Sequence, residues 1–600
     1  MKVGDSVPSP IPDTLSDCLA DAAAAQPDET AFTFVDYSAD MGGVACTLTW
    51  RQLEGRVRLV AAGLRHAGAV GERVAVVAPQ SLDYIVAFLA AACAGCVAVP
   101  LFPPSLHGHQ DKLAAVLQDA APMFAVTTEG QRASVTEFCA TRGGLSSGLR
   151  VVTERQLREM TAHADEAGRP WHRPRPEDAA YLQYTSGSTR TPSGVEITHA
   201  NVCANARQAL EAYDIRTGRN CTVGWLPLYH DMGLVLAVAM PIVGHVPSVL
   251  MDPLAFIQQP VRWLRLLTRH PGALTAAPNF AYDYCIRRVQ GEERAELSLG
   301  SVTAMVNGSE PVGARTLERF QAAFAPVGMA RTVMRPSYGL AEATVFVSAS
   351  PAGEEPTVTS FDRDALGLGV ARVAEPADGV AVAELVACGR PVGQEIAIVD
   401  PVTSRLQEDG RVGEIWLRGP NIGRGYWGRP EQSEATFRAT LHGDDPSDPA
   451  HHWLRTGDLG MWHGKQLYVT GRLKDLVIID GTNHYPHDIE ETVQDAHPAI
   501  RPHHVAAFAV DTGDGERLIT VAEHRPDVTD PDGLIDEVAR SVRAAVATGH
   551  GVRVHDFVLA PPGTVPHTTS GKVARTACRE RYMEGAWTAG TYDRERTGSA

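Results

Sequence analysis

Positive charge is scarce in this sequence. Its 54 lysines and arginines stand against 71 aspartates and glutamates, so the formal net charge is −17. Broad binding to nucleic acid needs a basic surface, and this balance argues against it. An acidic partner protein would also be repelled at long range, so its docking would need a local basic patch.

Features that would place the chain outside the ordinary globular class are also missing. We find no internal repeat and no low-complexity segment, and 44% hydrophobic with 21% charged residues is ordinary for globular proteins. The N-terminus, MKVGDSVPSPIPD, lacks the apolar core of a secretory signal. A length of 600 residues suggests more than one domain, each able to bury its own core.

One uncharged stretch, residues 84–102, could be taken for a membrane span. It is rich in alanine and is interrupted by Gly95 and Pro100, which a spanning helix would not favour. We interpret it as a buried helix followed by a short strand over residues 97–101. The sequence therefore predicts no membrane span.

Ten cysteines without a secretory signal indicate reduced, mostly buried thiols. Cys93 and Cys96 form a CxxC, but it lies inside the apolar run and has no second cysteine pair nearby. Core packing is therefore favoured over zinc or redox chemistry. The histidine pairs at 451–452 and 503–504 likewise lack partners at metal-ligand spacing.

Helix and strand signals alternate in the first part of the chain. Thr49 and Gln52 form a capping-box pattern that leads into an amphipathic stretch. Alternation of this kind predicts an α/β fold with a mostly parallel sheet covered by helices. The expected elements are helices over residues 53–66, from 81 and over 112–120, and strands over 72–79, 97–101, 123–127 and 179–184.

Two later segments indicate the domain organisation. Residues 351–387 carry few periodic signals and many glycines and prolines, which suggests an inserted, loop-rich element. Another break comes at residues 471–475. Beyond it, strands over 505–510 and 518–524 and a helix over 534–547 suggest a small α+β domain with a βαβ-type pattern.

The expected layout is a large layered α/β domain, a small mobile α+β domain and a frayed tail. Their predicted bounds are 1–472, 473–585 and 586–600.

A hydroxyl- and glycine-rich segment, YTSGSTRTPSG at residues 184–194, follows one predicted strand. Glycines let backbone N–H groups turn inward and the hydroxyls add donors, so such a loop can hold a phosphate. It is not a Walker loop, because no Gly-Lys-Ser/Thr follows. By itself, such a pattern more often marks an ordinary loop.

Six further segments change that balance. Each has a simple explanation of its own: a buried histidine, a packed tyrosine, a capping acid or a solvated lysine. Their occurrence together, in one order, is hard to attribute to chance. The segments are WLPLYHDMGL (225–234), NGSEP (307–311), SYGLAEAT (337–344), RTGDL (455–459), GRLKD (471–475) and TTSGKV (568–573).

Taken together, these motifs resemble the acyl-adenylate-forming superfamily of acyl-CoA synthetases, luciferases and adenylation domains. The resemblance covers residues 20–583 and is strongest to the fatty acyl-AMP ligases, which pass acyl groups to carrier proteins. APNFAYDYC (277–285) and GTNHYPHDIE (481–490) add to it, and the insertion at 351–387 matches that branch in position.

The resemblance implies an ATP site built from several segments. Tyr338 would stack on adenine, and Arg472 would contact ribose or phosphate. Asp458, which we expect at the end of a strand, would accept hydrogen bonds from the ribose. The residues expected to bind the nucleotide are Thr185, Ser186, Gly187, Ser188, Thr189, Gly308, Ser309, Glu310, Tyr338, Gly339, Asp458 and Arg472.

The same resemblance implies the catalytic residues. Lys572 would reach in from the small domain to bridge the carboxylate and the α-phosphate, where two anions must meet. Glu342 would help to bind Mg²⁺, together with Thr185, because this hard ion prefers oxygen ligands. His230 would lie near the acyl carboxylate.

Other roles follow by position. The acyl chain is expected to contact Met232, Leu234 and Phe280, and Lys474 or Asp475 would be the hinge for rotation of the small domain.

Three positions depart from the superfamily pattern. Arg190 and Ser193 stand where a glycine and a lysine are usual, and Ala341 stands where a threonine is usual. These departures fit the fatty acyl-AMP ligase branch. They put in doubt any role for a lysine in this loop.

The resemblance therefore implies ATP-dependent conversion of a fatty acid to fatty acyl-AMP, then transfer to the phosphopantetheine thiol of an acyl carrier protein. The alternative is a fatty acyl-CoA ligase, and the segment 351–387 is the feature that separates the two. A non-catalytic sensor is disfavoured by the presence of Lys572, Glu342 and Asp458. The need for ATP and the missing secretory signal suggest a cytoplasmic protein.

Overall fold

The structure is a computed structural model that describes residues 13–587 except 107, 143–147, 161–171, 186–191, 376–378, 480, 513–514 and 569–570. Its second helix begins where the sequence supplies a cap. The Thr49 hydroxyl accepts a hydrogen bond from the Gln52 N–H at 3.3 Å, and the Gln52 side chain accepts one from the Thr49 N–H at 3.0 Å. This capping box starts the helix at Trp50, three residues before the amphipathic stretch predicted from the sequence.

The helices of the described residues are α1 (Leu15–Ala25), α2 (Trp50–His66), α3 (Leu82–Cys93), α4 (Gln110–Ala120), α5 (Arg132–Thr141), α6 (Glu154–Glu159), α7 (His199–Ala212), α8 (Asp231–Leu234), α9 (Met240–Gly244), α10 (Pro253–Gln258), α11 (Val261–Arg269), α12 (Asn279–Arg288), α13 (Gly291–Ala295), α14 (Ala314–Phe324), α15 (Arg363–Gly367), α16 (Pro430–Phe437), α17 (Pro486–Ala496), α18 (Pro531–His550) and α19 (Arg575–Met583).

The strands of the described residues are β1 (Thr30–Asp36), β2 (Val44–Thr49), β3 (Arg73–Val77), β4 (Val97–Leu101), β5 (Phe124–Thr127), β6 (Arg150–Thr153), β7 (Ala179–Tyr184), β8 (Gly194–Thr198), β9 (Cys221–Gly224), β10 (Ser248–Met251), β11 (Ala273–Ala277), β12 (Ala304–Asn307), β13 (Met334–Gly339), β14 (Phe346–Ala349), β15 (Val358–Asp362), β16 (Val382–Val386), β17 (Arg390–Pro391), β18 (Glu395–Val399), β19 (Gly413–Arg418), β20 (Gly425–Tyr426), β21 (Leu454–His463), β22 (Gln466–Arg472), β23 (Val477–Ile479), β24 (Thr482–His484), β25 (Ile500–Asp511), β26 (Glu516–His524) and β27 (Val554–Ala560).

Two large sheets have parallel centres. The nine-stranded sheet has the order β17-β14-β13-β12-β11-β9-β10-β1-β2, and its strands from β13 to β1 run parallel, with antiparallel strands at both edges. The seven-stranded sheet has the order β20-β8-β7-β4-β3-β5-β6, and its five strands from β7 to β6 run parallel. The α/β class predicted from the sequence is confirmed.

The apolar stretch at residues 84–102 is divided as the sequence predicted. It forms helix α3, which ends at Cys93, and strand β4. Cys93 and Cys96 are buried, and burial raises the pKa of each thiol to about 12. No helix in the described part of the chain combines the length and apolarity needed to cross a bilayer.

The C-terminal part has its own sheet and core. Strands β25, β26 and β27 form a three-stranded sheet. Two clusters of buried side chains, among the described residues, draw their members only from Val477 to Trp587. The large-plus-small organisation is confirmed, whereas its bounds at 472/473 and 585/586 stay predictions. Trp587, which the sequence assigned to the tail, is buried and its Nε1 donates to the Cys578 carbonyl at 3.4 Å.

Two expected connections differ in the structure. β25 and β26 pair antiparallel, so the βαβ-type pattern is wrong for these two strands; the parallel pair is β26 with β27, with α18 between them. The segment 351–387 is not only loops, because β15 and β16 form an antiparallel pair around α15.

Candidate active site

A cleft of about 1320 Å³ opens where several parallel strands end. β9, β11, β12 and β13 of the nine-stranded sheet and β7 of the seven-stranded sheet all contribute the loops that follow them. Clefts outside the carboxyl ends of parallel strands are the usual ligand sites of α/β folds. Residues of the small domain close the other side.

Most of the predicted site residues line this one cleft, although they come from widely separated segments. They are Thr185, His230, Met232, Phe280, Gly308, Ser309, Glu310, Tyr338, Gly339, Glu342, Asp458, Arg472, Lys474, Asp475 and Lys572. Ser186, Gly187, Ser188 and Thr189 lie outside the described residues, as does Arg190. Leu234, the last residue of α8, is buried in the core and is not among the described residues that line the cleft, so its predicted contact with an acyl chain lacks structural support.

The two ends of the hydroxyl-rich loop are held together by a charged network. The loop leaves β7 at Tyr184 and enters β8, its antiparallel neighbour. The Tyr184 hydroxyl donates to Asp119 at 2.6 Å, and the same carboxylate pairs with Arg429. Arg429 also donates to the Pro192 carbonyl at 2.8 Å. Asp119 and Arg429 therefore fix both ends of the loop, and no local pattern in the sequence indicated either residue.

A second network joins three predicted nucleotide contacts. The Tyr338 hydroxyl donates to Asp458 Oδ2 at 2.7 Å, and Arg472 Nε donates to Asp458 Oδ1 at 3.1 Å. Asp458 lies inside β21 rather than at a strand end, and it is paired in register with Arg472 of β22. Burial raises the pKa of Tyr338, and the Asp458 charge raises it further, so the phenol stays a donor.

Glu342 lies in the turn after β13, at the edge of the cleft. That turn depends on Gly339, where an added Cβ would lie 1.7 Å from the Val345 carbonyl oxygen. The Tyr426 hydroxyl donates to Glu342 Oε1 at 2.8 Å. Burial raises the pKa of Glu342, and the hydrogen bond from Tyr426 opposes that rise.

Tyr426 was not predicted from the sequence. It lies in GRGYWGRP, a segment rich in glycine and aromatic residues, 84 positions from Glu342. Strand β20 carries it and pairs with β8, the strand after the hydroxyl-rich loop. Ser433 accepts its backbone N–H at 2.8 Å, and Phe437 packs edge-on against its ring at 5.1 Å. The residue is therefore rigidly placed.

The donors present fit a magnesium ion. Glu342 supplies a carboxylate and Thr185 lies at the same cleft. No cluster of three or more His, Cys, Asp or Glu side chains suited to a metal occurs among the described residues. Mg²⁺ usually binds through one or two carboxylates and completes its coordination shell with substrate phosphates and water, so the single carboxylate of Glu342 is compatible with a magnesium site.

Lys572 enters the cleft from the small domain. Burial lowers the pKa of its ammonium, the nearby Arg472 charge lowers it further, and Asp231, Glu310 and Asp458 oppose that fall. It follows Gly571, where φ is +85° and an added Cβ would lie 3.3 Å from the Phe280 ring. This close approach brings the lysine turn against α12.

The acidic neighbours of Lys572 are held in place. Glu310 Oε1 accepts the Phe280 N–H at 2.9 Å at the start of α12. Asp231 Oδ1 accepts the Met232 N–H at 2.8 Å, and burial raises the pKa of this carboxyl. Asp231 follows His230 directly, and sequence reasoning did not single it out.

His230 and Met232 stand at the start of an irregular helix. α8 and α9 are joined by a π-helical turn, Val235–Ala239, of the kind often found at functional sites. A second cavity of about 20 Å³ lies behind Met232, between this helix and strands β9 and β11. Met232 therefore lies between the cleft and this small cavity.

The predicted hinge residues lie in a single short turn, Leu473–Asp475. Asp475 Oδ2 accepts a hydrogen bond from Arg575 at 3.4 Å, and Arg575 also donates to both oxygens of Glu490 at 2.6 Å. The turn is thereby tied to α17 and α19 of the small domain.

Family models and curated relatives agree with this arrangement. The model described as AMP-binding enzyme matches residues 19–427, and the model described as Disco-interacting protein 2-like, AMP domain, matches residues 474–591. The long-chain-fatty-acid–AMP ligase FadD26 of Mycobacterium marinum is 42% identical over 579 residues, covering 94% of this chain and 96% of the relative. The 4-hydroxyphenylalkanoate adenylyltransferase of Mycobacterium tuberculosis is also 42% identical, over 95% of this chain and 92% of the relative.

Solved structures give the same result. A structure from a study of fatty acyl-adenylate ligases from E. coli and L. pneumophila has a TM-score of 0.84 and 33% identity, over 96% of this chain and 98% of that one. A fatty acyl-adenylate ligase from L. pneumophila, in complex with acyl adenylate and pyrophosphate, has a TM-score of 0.71 and 32% identity, over 96% of each chain. The chain therefore belongs to the AMP-binding enzyme family, among its fatty acyl-AMP ligases, as the resemblance of its motifs predicted.

Proposed function

We propose that this enzyme activates a fatty acid with ATP and Mg²⁺ to give fatty acyl-AMP and pyrophosphate, and then passes the acyl group to the phosphopantetheine thiol of a holo acyl carrier protein. The observation that carries the proposal is the convergence of Lys572 with Tyr338, Asp458 and Glu342 in one cleft. Lys572, from the small domain, thus lines the same cleft as side chains that could hold a nucleotide. The printed names of the relatives agree with the first step.

In the first step, an oxygen of the fatty carboxylate forms a bond to the α-phosphorus of ATP. The bond from that phosphorus to the bridging oxygen breaks, and pyrophosphate leaves with the electron pair. Lys572 lines the cleft in which these two anions would meet, and its ammonium would offset their repulsion. No covalent enzyme nucleophile is needed, because positioning and charge stabilisation supply the catalysis.

The remaining residues hold the substrates. Asp458 is proposed to take the ribose hydroxyls, and Tyr338 to support the base while its hydroxyl orients Asp458. Glu342 and Thr185 would hold Mg²⁺, which neutralises charge on the phosphates when bound. Gly308, Ser309 and Glu310 would line the base, and the segment 185–189 would hold the phosphates.

In the second step, the thiol sulfur bonds to the acyl carbon, the bond to the phosphate oxygen breaks, and AMP leaves while the thiol loses its proton. We propose a carrier protein rather than CoA as the acceptor, and the segment 351–387 supports this choice. Its Arg363 donates to both oxygens of Asp488 in the small domain, at 2.7 and 2.9 Å, and to the Gly549 carbonyl at 2.6 Å. These bonds tie the segment to the domain that must rotate between steps, and Lys474 or Asp475 would be the hinge.

The acceptor is tested by supplying ATP, Mg²⁺ and a fatty acid with either CoA or a holo acyl carrier protein, and separating the products. We expect acyl-carrier as the main product and little acyl-CoA. Robust acyl-CoA formation would replace the carrier assignment with the acyl-CoA ligase alternative. Dependence on ATP also leads us to propose that the enzyme acts in the cytoplasm.

A further inference from the structure

One surface of this acidic enzyme is positively charged. Residues 253–291 contain five arginines, of which Arg262 is buried, and a single acid, Asp283, although the whole chain carries −17. Asp252, Glu292 and Glu293 flank this stretch, so its positive charge is local. Asp283 is buried and already engaged, by Thr316 at 2.8 Å, His503 at 3.2 Å and Arg319 at 3.4 Å. The stretch therefore presents positive charge that its own acid does not cancel.

Two helices of this stretch meet to form a mixed apolar and basic patch. The Tyr284 hydroxyl of α12 donates to the Ile257 carbonyl of α10 at 2.6 Å. Arg288 lies over the Tyr284 ring, 6.0 Å from its centre, and Arg287 is exposed beside it. Leu254 and Ile257 are 60% and 45% exposed, which is high for large apolar side chains. We call Leu254, Ile257, Tyr284, Arg287 and Arg288 the α10–α12 patch.

Positive charge extends beyond the α10–α12 patch. Partial burial of the exposed Arg287 side chain lowers its pKa, and the charge of Asp283 opposes that fall. The charges of Arg319 and Arg525 lower the pKa of Arg287 further, because the three guanidinium groups repel one another. Like charges gathered in this way are costly for the enzyme alone. An acidic partner would relieve that cost.

The α10–α12 patch adjoins the cleft. Pro253 and Ile257 of α10 line it, and so does Phe280 in the first turn of α12. A macromolecule bound to the patch therefore sits beside the entrance to the compartment that holds the acyl-adenylate in the proposed function.

We propose that the α10–α12 patch is the docking surface for the acidic acyl carrier protein, which presents its thiol to the cleft from there. The inference rests on the proposed function. The net charge of −17 repels an acidic partner at long range, so a basic patch beside the cleft would steer the encounter toward the productive side. Leu254 and Ile257 supply an apolar centre and the arginines a charged rim, which is the usual anatomy of a specific interface.

An anionic membrane is the other partner that such a surface could attract. Two exposed apolar side chains bury little area in a bilayer, and stable attachment to a membrane needs more apolar surface or a larger basic cluster. The position beside the cleft also fits an acceptor that must reach a bound intermediate. The carrier is therefore the occupant that the observations favour.

The test compares Arg287→Glu/Arg288→Glu with a control of equal charge change, Arg132→Glu/Arg155→Glu. The control arginines are exposed beside β6, the edge strand of the seven-stranded sheet, and do not line the cleft. Fatty-acid-dependent pyrophosphate exchange reports the first step. Transfer to a holo acyl carrier protein, over a range of carrier and NaCl concentrations, reports the second, and free pantetheine serves as a thiol without a protein.

For Arg287→Glu/Arg288→Glu, we expect the KM for the carrier protein to rise about tenfold or more. This KM should also depend less on the NaCl concentration than it does in wild type. Pyrophosphate exchange and transfer to pantetheine should stay within about twofold of wild type, since neither needs the patch. The control variant should match wild type in all three assays. Arg287→Lys/Arg288→Lys keeps the charge and should keep the low KM.

Equal carrier KM values in the two double-Glu variants would overturn the docking proposal. Loss of binding to phosphatidylglycerol vesicles with no change in carrier KM would also overturn it, and would assign the patch to a membrane. Absence of pyrophosphate exchange in the wild type would instead overturn the proposed function and the docking surface with it.

Discussion

Removing the hydroxyl of Tyr426 tests whether this residue positions Glu342 for Mg²⁺. The hydroxyl donates to Glu342 Oε1 at 2.8 Å, and Tyr426→Phe deletes that bond while keeping the ring packed on Phe437. A hydrogen bond to a charged group contributes about 1.5–3 kcal/mol. Taking about 2 kcal/mol, we expect affinity for the metal–nucleotide complex to fall up to about 30-fold, because the carboxylate must then be ordered by the ion itself.

Two measurements check this value. The first is the Mg²⁺ concentration that half-saturates pyrophosphate exchange, which should rise about tenfold or more while the KM for the fatty acid stays within about twofold. The second is the affinity for a non-hydrolysable ATP analogue, measured by calorimetry with and without Mg²⁺. Tyr426→Phe should reduce the gain in affinity that Mg²⁺ provides and should leave the affinity without Mg²⁺ unchanged.

Tyr582→Phe is the matched control, because its hydroxyl also donates to a carboxylate, Asp556, at 2.7 Å, and it does not line the cleft. If Tyr426→Phe and Tyr582→Phe respond to Mg²⁺ alike, Tyr426 does not position the metal ligand.

Two further predictions concern Arg575 and Lys572. Arg575→Leu leaves Glu490 and Asp475 without their cation, so we expect the free energy of unfolding, measured by chemical denaturation, to fall by about 3–5 kcal/mol. The control Arg540→Leu, at an exposed position on α18, should change it by less than about 0.5 kcal/mol. Similar losses of stability in the two variants would contradict this prediction. Burial lowers the pKa of Lys572, and only its protonated form assists the first step, so pyrophosphate exchange should be lost as pH rises through a value below the ordinary lysine range. The arginine of Lys572→Arg stays charged, so exchange by this variant should be slower but should persist to higher pH than in wild type. If exchange by the two enzymes is lost at the same pH, another group is responsible for the loss.

Sequence reasoning located elements best where the signals are local. The capping box at Thr49 and Gln52 marked helix α2, and strand β7 ends at Tyr184 as predicted, because the apolar run stops there and hydroxyls and glycines follow. Gly95 and Pro100 likewise separated α3 from β4 correctly. Caps, turn residues and breaks in apolar periodicity act over a few residues and can be seen in the sequence.

Pairing between distant segments could not be predicted in this way. β25 and β26 were given a βαβ-type pattern, yet the connection between them is too short for a crossover helix and they form an antiparallel pair. β15 and β16 pair across a segment rich in glycine and proline, which hid both strands. Asp458 was placed at a strand end, but β21 continues to His463 because it pairs with β22.

The same distinction between local sequence signals and long-range contacts applies to the candidate site. Motifs indicated Glu342, Asp458 and Lys572, and the structure brings all three to one cleft. The partners that orient Glu342 and Asp458 lie 14 to 120 positions away in the chain: Tyr426 donates to Glu342, and Tyr338 and Arg472 donate to Asp458. Such contacts are properties of the fold, which explains why Tyr426 and Arg429 were missed.

The central claim is that this cleft adenylates a fatty acid with the help of a lysine from the small domain. The most direct measurement is fatty-acid-dependent pyrophosphate exchange by wild type, Lys572→Ala and the control Lys465→Ala, whose lysine is exposed in the turn between β21 and β22. We expect wild type and Lys465→Ala to catalyse exchange only when the fatty acid is present. The exchange rate of Lys572→Ala should be lower by at least about 100-fold. Equal exchange in wild type and Lys572→Ala, with or without fatty acid, would contradict it.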